Sequence, residues 1–358
     1  MAGAFPRRHV ALPHDRVDPA GACALAPRMG RMRYLVTGCA GFIASRVAQQ
    51  LLERGHEVVG VDDMNDAYDP RLKEWRLEQL RRHASFRFMR ADVADIGALA
   101  AAFADGPVEG VYNLAARAGV RQSIADPWTY LRTNAQGTLN VLELARKHDV
   151  NRIVTASTSS LYGKHNPRPF RESADTDRPL SPYASSKKAA ESFCASYAHI
   201  YGLSTPVCRY FTVYGPAGRP DMSMFRFIRW ISEGEPILLY GDGSQERDFT
   251  YVDDIARGTQ LALEKTRGFD VYNLGGDRPV LLRDMIGLIE KLVGKPAKLD
   301  QRPAHVADVP ATWADITRAR TKLGWEPTTS FEDGVRATVK WYQMNHALAS
   351  NLSLGVDA

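Results

Sequence analysis

The 358-residue chain has only four cysteines, Cys23, Cys39, Cys194 and Cys208, and no two of them form a C-x-x-C pair. That excludes a disulfide-framed scaffold and leaves no plausible zinc set, so no metal site is expected and the thiols read as reduced and mostly buried, as in a cytoplasmic protein. Long apolar runs are missing too: none approaches the roughly 18 residues that a membrane-spanning helix needs. The first 32 residues lack the continuous apolar stretch of a signal peptide. No membrane partner is expected. Excess charge is small. Of the formal net charge of +5, residues 1–32 carry +3, from five arginines against two aspartates, and +2 remains for the body. Such a surface gives no reason to expect nucleic acid. With four prolines and no helical period, residues 1–32 are expected to be a disordered extension, the folded chain starting near Met32, with a basic anchor as the alternative.

What is present is a 44% hydrophobic content, enough for a sizeable core, and a regular alternation from Arg33 onward. The runs "MRYLVTG", "EVVGVDD", "FRFMRADV", "GVYNLAA", "NRIVTAST" and "PVCRYFTVYG" are apolar and β-rich. Helical stretches separate them, near 70–82, near 134–148 and after Tyr183 among others. Strict alternation predicts an α/β fold with a doubly wound parallel (Rossmann) sheet whose strands are covered on both faces. Past about residue 210, "YGPAGRPDMS", "YGDGSQERDF" and "RPAHVADVP" bring in glycine, proline and arginine, which predicts a smaller, discontinuous α/β domain. The expected division is 33–208 with 248–275 for the first domain, 209–247 with 276–345 for the second, and a tail over 346–358.

The turn after the first strand reads GxxGxxA at Gly38, Gly41 and Ala44, one residue wider than the GxGxxG dinucleotide fingerprint, which is absent. Small residues there let a pyrophosphate approach the backbone and the helix N-terminus at Phe42 and Ile43. "VVGVDD" ends the second strand on Asp62, where a carboxylate accepts from both ribose hydroxyls and repels a 2′-phosphate, favouring NAD over NADP. Asp92 and Val93 follow the third strand, and Leu114, Ala115 and Ala116 the fourth. Each has a plainer reading, as a tight packing turn or a helix cap. Their common position at the carboxyl ends of strands makes a binding crevice.

"SPYASSKKAAESF" places Tyr183 and Lys187 at i, i+4 on one helix face. An ammonium beside a phenol is expected to lower its pKa from about 10 and make it a usable general base. Alone, YxxxK is also a common surface pair. "ASTSSLYG", one segment earlier, adds Thr158 at the end of the adjoining strand. A nicotinamide crevice, a phenol, a lysine and a hydroxyl make an alcohol-oxidising site. With these motifs in this order, the sequence from Met32 to about Tyr342 resembles the extended short-chain dehydrogenase/reductase family, and within it the nucleotide-sugar epimerases and dehydratases.

The resemblance implies that Gly38, Gly41, Phe42, Ile43, Asp62, Asn65, Asp92, Val93, Leu114, Ala115, Ala116 and Asn134 hold NAD. It implies that Tyr183 is the base, that Lys187 activates it and binds nicotinamide ribose, and that Tyr210 lies beside the nicotinamide. Arg219 and Arg247 are the expected diphosphate clamp, since a planar guanidinium forks onto phosphate oxygens; the plainer reading is a surface salt bridge. Asp308 resembles a ribose acceptor, with His305 where the family usually has an arginine. Tyr240 either flanks uracil or fills the core, and Arg121 either faces the substrate or solvent.

"GPAGRPDM", "FTVYG" and "AGVRQS" are most similar to the UDP-glucuronate 4-epimerases, which implies a UDP-sugar substrate and a homodimer through the helices near 134–148 and 184–200. Relatives that dehydrate carry aspartate and glutamate after the threonine, and those that decarboxylate carry serine and glutamate. Here the two positions are Ser159 and Ser160. Together with Thr212 they are expected to donate to a substrate carboxylate. The alternatives are 4-epimerisation of UDP-glucose or UDP-N-acetylglucosamine and, further off, decarboxylation or dehydration.

Overall fold

A computed structural model describes residues 30–303 and 311–355. Residues 1–29, which hold most of the expected extension, and Asp308 with His305 lie outside the described residues. The strands, in chain order, are β1 (Arg33–Thr37), β2 (Glu57–Asp62), β3 (Phe86–Arg90), β4 (Gly110–Asn113), β5 (Ile153–Thr158), β6 (Val207–Tyr210), β7 (Thr212–Tyr214), β8 (Pro236–Tyr240), β9 (Glu246–Tyr251), β10 (Val271–Leu274), β11 (Pro279–Leu281) and β12 (Lys298–Arg302).

Seven of them form one sheet in the order β10-β6-β5-β4-β1-β2-β3. Every pairing in it is parallel. This is the doubly wound sheet expected from the alternation. All six residues of β5 and all four of β4 are buried, because helices cover both faces. The chain leaves β1 toward β2 on one side and reaches β4 on the other, so the strand order reverses between β1 and β4. A crevice opens there at the carboxyl ends of the strands.

Local chemistry sets the helix starts. Asp69 accepts from Arg71 N at 3.0 Å and Pro70 opens the helix Pro70–Arg81. Ser181 accepts from Ala184 N at 3.2 Å and opens the helix Pro182–Tyr201, which Gly202 ends in the left-handed conformation at φ 69. The helix expected near 134–148 begins earlier, as a π-helical turn over Leu131–Gln136 that runs into Gly137–Lys147. Such turns often mark functional positions.

The later strands make two small sheets, β11-β9-β7 and β12-β8. Around them a separate hydrophobic cluster gathers Phe225, Ile228, Trp230, Met285, Ile289, Val335 and Trp341. From Arg31 onward the chain nevertheless forms one compact unit. Within the expected tail, residues 346–355 pack onto the fold: Leu352 and Leu354 are buried in that same cluster, and Ser353 N donates to Asp69 at 2.8 Å. Two apolar side chains spaced i, i+2 after a short helix, His346–Ala349, were the available signal. Among the described residues, no helix is long and apolar enough to cross a membrane.

Candidate active site

Gly38 has φ +69, and a Cβ there would lie 2.8 Å from the Ala115 backbone. A Cβ on Gly41 would lie 2.8 Å from the Gly38 carbonyl. Only glycine lets the β1 turn and the β4 turn come this close. Thr37 fixes the approach, its hydroxyl accepting from Leu114 N and Ala115 N at 3.1 Å each and donating to Asn113 at 3.0 Å. Sequence reasoning missed Thr37; a threonine one residue before the glycine turn was the signal. The helix Phe42–Glu53 starts at Gly41 with no side-chain cap, so its first amides, including those of Phe42 and Ile43, stand ready for an anion.

Asp62 is buried at the end of β2 and accepts from Ala40 N at 3.1 Å and Met64 N at 2.8 Å. Burial raises its pKa, while Lys73, also buried with Nζ 3.9 Å away, pulls it down. Lys73 donates to Asn65 Oδ1 at 2.9 Å, which ties three expected or new polar groups into one corner. Asp92 caps the turn after β3 through Ala94 N at 2.8 Å and pairs with Arg132. Val93 packs against Gly137, and Ala116 is exposed at the crevice mouth.

Two of the expected contacts are spent elsewhere. The Asn134 amide accepts from Arg117 N at 2.9 Å and donates to Arg117 O at 3.0 Å and Ser186 Oγ at 2.9 Å, so it clamps a loop to the catalytic helix. The Tyr210 ring is buried in the main core with its hydroxyl 2.9 Å from Thr259. Its side chain therefore turns away from the crevice, and only its main chain, opposite Thr158 in the β5–β6 register, lies at the site.

Thr158 ends β5 and caps the 3₁₀ turn Ser159–Tyr162, accepting from Ser160 N at 3.1 Å. Its hydroxyl donates to Ser160 Oγ at 3.2 Å and also hydrogen-bonds Tyr183. Tyr183 stands edge-on to Tyr130, ring centroids 6.0 Å apart. Tyr183, Thr158 and Ser160 thus make a continuous hydroxyl chain, and Ser159 opens the turn between Thr158 and Ser160.

One electrostatic expectation needs correcting. Burial raises the Tyr183 pKa, and the groups acting downward are Thr158 and Arg219, not Lys187. Lys187 Nζ donates instead to the Ala156 carbonyl, 3.0 Å away. Burial lowers Lys187 to about 8, against the upward pull of Glu191 and Cys194. Behind it, Glu191 holds Arg209 in a buried bidentate pair at 2.9 and 2.7 Å and accepts from Ser157 at 2.5 Å.

A pH prediction follows. With a folded pKa near 8 and an unfolded one near 10.4, Lys187 sheds its proton sooner in the folded state. Its contribution to stability is present above the unfolded value and is lost as pH falls through about 8. For protein stripped of bound nucleotide, the unfolding free energy of the native chain should gain on that of Lys187→Met between pH 7.5 and 9.5, by on the order of 1 kcal/mol, as read from denaturant titrations. Parallel curves for the two proteins would contradict the assignment.

On the other side of the crevice, Arg219 pairs with Asp221 at 2.6 Å and stacks over Tyr68 at 5.6 Å. Its positive charge acts to lower the Tyr183 pKa. Arg121 lies over the Tyr240 ring at 5.5 Å, so these two candidates meet although they come from distant segments. Arg247 in β9 donates to Glu246 O at 2.9 Å, and Thr212 opens β7, half-buried, two residues past Tyr210.

Residues 34–275 match the model of the NAD dependent epimerase/dehydratase family. The chain belongs to that family. A UDP-glucuronate 4-epimerase of Thermodesulfobacterium geofontis is 50% identical over 90% of this chain and 99% of its own length. The crystal structure of a UDP-glucuronic acid 4-epimerase from Bacillus cereus with UDP-glucuronic acid and NAD superposes with a TM-score of 0.81 at 36% identity, covering 87% of this chain and 99% of that one. A UDP-glucose 4-epimerase from Thermotoga maritima, with UDP-glucose, gives 0.81 at 33% identity and the same coverage. For a member of the NAD dependent epimerase/dehydratase family the cradle fits the cofactor. Two glycines clear a path for a pyrophosphate, uncapped helix amides face it, and a buried carboxylate with lone pairs to spare suits a ribose diol.

Proposed function

We propose that the protein is an NAD-dependent 4-epimerase interconverting UDP-glucuronate and UDP-galacturonate through a 4-keto intermediate, with the cofactor retained throughout. The observation that carries this reading is the chain Tyr183–Thr158–Ser160: a base joined to neutral hydroxyls, with no carboxyl group after Thr158. The activities of the bacterial relatives support the same substrate.

NAD, when bound, supplies the hydride acceptor and a positive charge that favours a phenolate at Tyr183. Gly38, Gly41 and the first helical amides would hold its pyrophosphate, and Asp62 with Lys73 and Asn65 its adenosine ribose. Tyr183 takes the proton of the C4 hydroxyl. A hydroxyl has one proton, so Thr158 donates to Ser160 while Tyr183 is protonated and is free to swing its donor to the phenolate once the proton has gone. Lys187, anchored on Ala156 O, keeps its ammonium at the helix base beneath Tyr183. Arg219 and Arg247 would hold the diphosphate as a pivot while the ketone presents its second face and regains a hydride and the Tyr183 proton.

Ser159 and Ser160 would hold the carboxylate. The reading also takes the chain as a cytoplasmic homodimer, with Ile200 and Tyr201, exposed at the end of the helix Pro182–Tyr201, supporting a partner surface there.

The test is incubation of purified protein with UDP-glucuronate and no added NAD, followed by separation of the nucleotides. UDP-galacturonate is the expected product. Turnover of UDP-glucose without any of UDP-glucuronate would replace this reading with a neutral-sugar epimerase, and a UDP-pentose product with a decarboxylase.

A further inference from the structure

Arg76 is buried on the helix Pro70–Arg81 and has no part in the chemistry above. Its guanidinium bridges two loops from distant parts of the chain. Nε and Nη2 donate to Ala217 O at 3.1 and 2.7 Å, and Nη1 donates to Ala40 O at 3.0 Å and to the Tyr68 hydroxyl at 2.6 Å. Ala40 lies inside the Gly38–Gly41 turn, and its own amide donates to Asp62. Ala217 lies two residues before Arg219 in a loop where it takes a left-handed φ of 53, a conformation alanine adopts only when neighbours hold it.

The Tyr68 ring carries Arg76 at 5.4 Å, Arg219 at 5.6 Å and Lys73 at 5.3 Å. Lys73 has Asp62 and Arg219 has Asp221 as carboxylate partners. The hydrogen-bond partners of Arg76 are all neutral oxygens. A buried cation held this way, beside two others, is stabilised by any anion brought to either loop. A cavity of about 270 Å³, lined by Phe42, Trp75, Arg76, Ala217 and Tyr251 among others, lies on one side of this bridge. The Arg76 guanidinium is thus a direct polar link between the two loops.

We propose that Arg76 is a positioning residue that couples the cofactor turn to the substrate-diphosphate loop, so that a nucleoside diphosphate bound beside Arg219 slows the release of NAD. This rests on the nucleotide-sugar reading above. It also gives a physical reason for retaining the cofactor while a keto sugar is in the site, since the cofactor would then be in its reduced form and its loss would leave the ketone with no hydride to regain.

The experiment measures exchange of bound NAD for labelled NAD in the purified holoenzyme, with and without saturating UDP, and UDP binding separately by calorimetry. In the native protein UDP should slow exchange on the order of 10-fold. In Arg76→Lys, which keeps a charge but cannot span both carbonyls, the UDP effect should fall below about 2-fold while UDP still binds. Tyr68→Phe, which removes one bond of the bridge and keeps the ring, should fall between the two and covers the case in which Arg76→Lys does not fold. UDP that binds without slowing exchange in the native protein, or that slows it equally in native protein and variants, overturns the coupling alone. UDP that does not bind overturns the nucleotide-sugar reading and the coupling with it.

Discussion

Tyr183→Phe should lower kcat for UDP-glucuronate by roughly 10³-fold, in the middle of the range for losing a general acid–base, while the purified protein keeps its NAD. The two halves of this expectation have separate causes. The phenol oxygen is the group that hydrogen-bonds Thr158 at the end of β5. The ring, by contrast, packs edge-on against Tyr130, and phenylalanine preserves that. Lys187 keeps its bond to Ala156 O whichever ring stands one turn before it. Cofactor content, read by absorbance of nucleotide released on denaturation, should match the native protein, and KM should stay within about 2-fold, because a group acting only in the transition state lowers kcat without weakening ground-state binding. More than a tenth of native activity in the variant would remove Tyr183 from the role of base.

The parts of this site that were legible in the sequence are those whose logic is local. Tyr183 and Lys187 share a helix face because they are four residues apart, and Gly38 and Gly41 mark a strand-to-helix turn by spacing alone. Asp62 was legible because a second strand of a doubly wound sheet ends there. What escaped were contacts between remote segments. Arg76 meets Ala40 across 36 positions and Ala217 across 141. Thr37 meets Ala115 across 78. Tyr210 failed for another reason. Both faces of β6 are buried, so nothing in "RYFTVYG" tells which face its ring takes, and the packing of the helix Val252–Lys265 puts it against Thr259. Spacing puts Lys187 on the helix face of Tyr183 but does not fix its side chain's direction, and in the structure its ammonium donates to the Ala156 carbonyl.

Ser160→Glu should redirect the reaction, so that UDP-glucuronate gives carbon dioxide and a UDP-pentose in place of UDP-galacturonate. Oxidation at C4 turns the sugar into a β-keto acid, whose C5–C6 bond breaks readily once the carboxylate leaves the plane that hydrogen bonds hold it in. The electrons of that bond become an enolate, which takes a proton at C5 to finish. Ser160 is half-buried in the first turn after β5, with its Oγ 3.2 Å from Thr158 and hence on the side of the base. As a neutral donor to a carboxylate it is worth about 1.5–3 kcal/mol. A glutamate there removes that donor, sets a like charge against the substrate carboxylate and, when protonated, supplies the proton for C5. Losing the bond alone should speed decarboxylation by roughly 10- to 100-fold, so Ser160→Ala should release a little carbon dioxide and Ser160→Glu most of the turnover. The products are separated by chromatography and carbon dioxide is counted from substrate labelled at C6. A Ser160→Glu protein that still binds NAD and UDP but makes only UDP-galacturonate would show that retention of the carboxylate does not depend on the hydroxyl at this position, and would leave Arg121 and Thr212 as the groups to test.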